Sequence, residues 1–139
     1  MTALAKDSLI SFERWRNHQL PLGAAKKAYK GATALGDPAT GTVIPGATAT
    51  GKLVLGVFAE QIDNSANTNT TALVNVDFLF ERTVLWRAND GSITSSNLFS
   101  PCYVVDDQTV GASSSGKSAA GTIVAVDSVL GVAYVVGGF

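Results

Sequence analysis

Cysteine occurs once in this 139-residue chain, as Cys102, so neither an intramolecular disulfide nor a cysteine-based metal cluster can form. In the run "CYVV" it reads as a small packed residue rather than a reactive thiol. Histidine also occurs once. A Ser-His-Asp triad would therefore rest on His18 alone, in a terminal segment where it reads as solvent-facing or an interface donor. No His/Asp/Glu cluster has metal-ligand spacing, so no metal and no other cofactor is expected. Charge is scarce too: 15% of residues are charged against 46% hydrophobic, and ten basic and eleven acidic groups leave a net charge of −1. That balance argues against broad attraction to nucleic acid or to an acidic membrane. So little charge on so apolar a chain predicts that partners, or copies of itself, cover part of its surface. No apolar run approaches the length of a membrane helix. The opening "MTALAKDSLISFERWRNHQ" is charged throughout and is not expected to act as a secretory signal.

What is present divides at about residue 22, and the length suits one domain with a real core. Residues 1–22 are read as an N-terminal arm or short helix, residues 23–139 as a β-domain. In "DSLISFERWRNHQLP" the residues Leu9, Phe12 and Arg16 fall near helical spacing, and Pro21 would end a helix. Two readings stand: a segment covering one end of the domain, or an anchoring arm. In the second, Phe12, Arg14, Trp15 and Arg16 dock onto a partner.

Beyond Gly23 the pattern is one of strands and turns. "KKAYKGATAL" is expected as the first strand, followed by turn residues in "LGDPATG". "GTVIPGATATG" is a short strand that Pro45 assigns to a sheet edge. "KLVLGVFAEQID" reads as a buried strand and "NSANTNTT" as a polar loop. In "LVNVDFLFERTVLWRA", Val74, Val76, Phe78, Phe80, Val84 and Trp86 share one phase of a two-residue repeat and are expected to face the core together. Arg82 then marks a bulge, a bend or the sheet's rim. "NDGS" is a turn, and "SPCYVVDDQTV", "AGTIVAVDS" and "GVAYVV" are three further β-rich runs. Short strands without a long helix predict an all-β fold, a small antiparallel sandwich or barrel of jelly-roll-like form.

Two stretches imitate chemistry. "GASSSGKS" has the letters of a phosphate-binding loop, and "IVAVD" ending in Asp127 imitates a metal-holding strand. The working loop needs a helix after its lysine, to aim amide dipoles at phosphate. Here Gly121, Thr122, Ile123 and Val124 predict a strand instead, and the loop reads as a connection between antiparallel strands. Asp106 and Asp107 are the one adjacent carboxylate pair, read as a hairpin turn rather than an acid–base pair. No enzymatic activity is expected.

Taken together, "CYVVDDQTV" and "SAAGTIVAVDSVLGVAYVV" resemble the small head-decoration (capsid cement) proteins of tailed bacteriophages. "KLVLGVFAEQIDNSANTNTTALVNV" and "NDGSITSSNLFSPCYVVDD" fit the same family. The resemblance spans about residues 25–136; the first 22 residues carry none of it. It implies a β-rich, non-catalytic protein, made in the host bacterial cytoplasm and residing on the outer surface of the virion capsid. There it would bind as a homodimer or homotrimer and clamp neighbouring major capsid protein subunits. A carbohydrate-binding module, or a tail-tube or adhesion component of the virion, is the alternative. For sugar stacking only Trp15 and Trp86 offer a flat platform, and Trp86 lies on the apolar phase.

Overall fold

The computed structural model describes residues 17–79 and 83–136. Phe12, Arg14, Trp15 and Arg16 lie outside the described residues. Among those described, the chain is all-β apart from one 3-10 turn, Ser95–Asn97. Its strands are β1 (Asn17–Pro21), β2 (Lys27–Ala28), β3 (Thr33–Asp37), β4 (Thr42–Pro45), β5 (Leu53–Phe58), β6 (Ile62–Asp63), β7 (Leu73–Phe78), β8 (Val84–Asn89), β9 (Pro101–Val104), β10 (Thr109–Gly111), β11 (Ala119–Asp127) and β12 (Gly131–Val136). β1, β7, β5, β3 and β4 form a five-stranded sheet in that order, with neighbours antiparallel. β10, β8, β12, β11 and β9 close into a barrel, and β2 pairs with β6 alone.

The sheet hides apolar residues on both faces, helped by a bulge in β5. Ala34 pairs with Gly56 and Leu35 with Val54, so the register shifts between Ala34 and Leu35. The extra residue is Leu55 on β5, so Val54 and Phe58, which share a parity, reach opposite sides, while Ala34 and Leu35 do so by ordinary alternation. Ala34, Phe58, Val74 and Val76 enter one cluster, with Leu22 and Val43. Leu35 and Val54 enter the other, with the barrel residues Cys102, Val104, Ile123, Val132 and Tyr134. Burial on two fronts joins sheet and barrel into one body. Hydrogen bonds cross the same seam, from Thr33 N–H to the Asp107 carbonyl (2.8 Å) and from Thr48 Oγ1 to the Val105 carbonyl (2.8 Å).

Several expectations meet the structure directly. Pro45 sits on β4, the edge of the sheet order, where its missing donor costs nothing. Asp106 and Asp107 turn the β9–β10 hairpin, with Gln108 N–H donating to Asp106 Oδ1 (2.9 Å). In "NDGS", Asn89 Oδ1 accepts the Gly91 N–H (2.8 Å). "NSANTNTT" is largely exposed but is built around Asn64, which is 1% exposed and donates to the Gly23 and Asn69 carbonyls.

Four expectations need correction. The first described strand is not "KKAYKGATAL" but β1, which pairs Asn17 to Pro21 with Asp77 to Leu73. "KKAYKGATAL" itself is divided, its Lys27–Ala28 going to a separate two-stranded sheet and its Thr33 onward to β3. The stretch 73–89 is not one strand with one core phase. β7 belongs to the sheet and β8 to the barrel, so parity set by one does not bind the other. Val74 and Val76 are buried, whereas Val84 and Trp86 are exposed and Leu85 packs on the barrel core. The 112–118 loop does not join antiparallel strands: β10 and β11 each run antiparallel to β9, hence parallel to one another. So short a crossover works because the two strands are staggered. Gly111 and Ala119 both lie opposite Tyr103, so β11 begins at the level where β10 stops.

Candidate interaction surface

The phosphate-loop letters lead to no cradle. Strand β11 begins directly after Ser118, so no helix N-terminus faces the loop. The Ser118 hydroxyl donates to the Ala49 carbonyl (2.5 Å) and accepts the Lys52 N–H (3.0 Å), which fixes the loop to the sheet. Asp127 makes a turn: the N–H groups of Leu130 (2.8 Å) and Val129 (2.7 Å) donate to its Oδ1 and hold the carboxyl below the ordinary aspartate range. Cys102 is wholly buried, and burial pushes its thiol up to about 12. His18 is half-buried on β1, its ring 6.5 Å from that of Phe78. Among the described residues no group of three or more His, Cys, Asp or Glu side chains could hold a metal, and no helix is long and apolar enough to cross a membrane.

What the barrel does present is apolar surface. β8 alternates inward and outward, so Leu85 fills the core while Val84 and Trp86 point away from it. Register sets Val84 beside Val135, Trp86 beside Ala133, and Ala133 beside Ala125, giving an outer face of aliphatic and indole groups across β8, β12 and β11. A register shift between Ile123 and Ala125 adds Val124 as an extra exposed residue. Val84 is 48% exposed and Trp86 40%. At one end the Asp127 turn lifts Val129 (89% exposed) and Leu130 (61%) into solvent beside Trp86. With Arg87, Asn89, Gln108 and Asp127 among the lining, they border an open cleft of about 660 Å³.

Phe99 stands at the other side of β11. Its N–H donates to the Ile123 carbonyl (2.8 Å), and it is 78% exposed. Its φ of 69° is a left-handed conformation that costs a bulky residue roughly 1–3 kcal/mol. An aromatic ring held in solvent on a disfavoured backbone is a common mark of a contact site.

Of the residues singled out from the sequence, Val84 and Trp86 come to this surface, against their assignment to the core. Cys102, Asp106 and Asp107 lie elsewhere in structural roles. Phe99, Val124, Val129 and Leu130 were missed. The one available signal was "SVLG", which puts two large aliphatic residues in a hairpin turn where polar residues are the rule. Comparison of the chain with protein-family models, with curated proteins and with solved structures finds no match.

Proposed function

We propose that this chain is a non-enzymatic decoration (cement) protein of a tailed-phage head. It binds the outside of the expanded capsid as an oligomer and stabilises contacts between major capsid subunits. The observation that carries the reading is the apolar outer face of the barrel, with Val84, Trp86 and Val124 exposed on its strands, which suits permanent packing in a protein shell. The resemblance of "CYVVDDQTV" and "SAAGTIVAVDSVLGVAYVV" to that family supports it. No single contact has to be strong, because an oligomer engages several capsid subunits at once and avidity multiplies weak sites. The test is co-sedimentation of purified protein with expanded heads stripped of decoration. Saturation at a fixed number of copies per head is expected; absence of binding overturns the reading.

One observation favours a second reading, a carbohydrate-binding module. Trp86 is exposed at a cleft whose lining also holds Asn89, Gln108 and Asp127, an aromatic face next to hydrogen-bonding groups. Specific binding on a glycan array, lost in Trp86→Ala, would establish it over the capsid reading.

A further inference from the structure

We propose that the outer face of β8, β12 and β11 is where copies of this chain associate, with Val84 and Trp86 along its β8 side, Val124 and Phe99 toward its β11 side, and Leu130 at the turn that joins β11 to β12. The proposal deepens the cement reading, which requires an oligomer, by naming the contact between copies. It begins from the register: Val84 with Val135, and Trp86 with the buried Ala133 and then Ala125, place apolar groups side by side over three strands. Asp127, at the corner of this face, has its carboxylate occupied by the Val129 and Leu130 amides.

Size and composition select the occupant. Val84, Trp86, Phe99, Val124, Val129 and Leu130 are all exposed on or beside these strands, and six large apolar residues together present on the order of several hundred Å², the scale of a monomer's largest patch. With a polar rim this approaches the ~800 Å² per partner of a stable interface. The paired residues that make up this face among those described, Val84, Trp86, Ala125, Ala133 and Val135, carry no charge for a charged partner to complement. Interfaces between identical copies are the more apolar kind, and under a two-fold axis an apolar patch is complementary to itself.

The experiment is sedimentation velocity of the full chain over a range of concentrations, without capsids. Reversible association is expected for the wild type. Leu130→Lys should weaken it about tenfold or more, since a buried ammonium at the interface has no partner. Phe99→Gly should also weaken it about tenfold, with an undiminished Tm because glycine relieves the left-handed backbone. Leu53→Lys, an equally exposed leucine on the sheet, should leave association unchanged. A wild type that stays monomeric at ~100 µM, where even micromolar affinity would show, overturns the proposal. So does association that Leu130→Lys and Phe99→Gly leave intact, or that Leu53→Lys abolishes. A monomer whose head binding falls in Leu130→Lys would assign the face to a capsid subunit instead. Association in solution without head binding would remove the cement reading and keep this one; a chain monomeric in solution that saturates heads would remove this one and keep head binding, with any oligomer formed only on the capsid.

Discussion

The Cys102 thiol is enclosed by the barrel, and two separate barriers protect it. A reagent cannot reach a side chain with no exposure, and burial raises the thiol to about 12, so almost none is thiolate at pH 8. Native protein mixed with a disulfide reagent at pH 8 should therefore release no chromophore until denaturant is added, and should react at the rate of unfolding. Immediate reaction of the native state would mean that β9 opens readily from its neighbours. This residue was legible from its apolar surroundings, because a cysteine in a β-rich run has few fates. Trp86 was not. Its neighbours have the same apolar character whether they face core or solvent, and only the strand's pairing to β12 decides which side is out. Phe99 was illegible for a different reason: its exposure follows from a backbone angle that no side-chain pattern encodes.

Strands owe their closure to positions that tolerate no side chain. Gly121 in β11 pairs with Cys102 on one side and Val136 on the other, and a Cβ there would collide with the Val135 carbonyl oxygen. The obstacle is backbone, so it cannot rotate away, and β11 and β12 would have to part. Gly121→Ala should cost about 3 kcal/mol in urea unfolding, the upper part of the overpacking range. Gly36→Ala is the matched control, because its Cβ would meet Leu55 at 3.5 Å, an ordinary contact. It should change stability by less than about 1 kcal/mol. Equal losses in both would show that glycine's role here is not this close approach. At this scale the sequence was most readable where chemistry punctuates it: Pro45 gave an edge, Asp106 a hairpin, "NDGS" a turn. It was least readable where strands change partners. The two-residue repeat of 73–78 continues into 84–86 in composition, although β7 and β8 enter different sheets.

For the whole molecule the decisive seam is between sheet and barrel, and no local pattern predicts it. Val54 reaches the barrel core because of a one-residue bulge in β5, Leu35 joins it by alternation, and the Thr33 amide reaches a carbonyl 74 positions away in sequence, that of Asp107. The same scale governs how the proposed arm should be tested. Residues 17–22 were grouped with the arm in the sequence, yet Asn17–Pro21 pair with β7 and Leu22 is wholly buried with an N–H bonded to the Ala72 carbonyl (2.8 Å). Deleting residues 2–20 would strip most of an edge strand and leave β7 as a new edge, an invitation to aggregation. Deleting residues 2–16 spares the whole of β1. The shorter deletion should keep a cooperative unfolding transition close to the wild-type Tm, while the longer one lowers Tm by several degrees or precipitates. Only the shorter deletion then reports on Phe12, Arg14, Trp15 and Arg16. If the folded 2–16 deletion loses head binding in co-sedimentation, the arm is the capsid anchor. If it binds heads as the full chain does, the arm reading is lost and capsid contact must come from the β-domain, whose exposed barrel face would then be the first place to substitute.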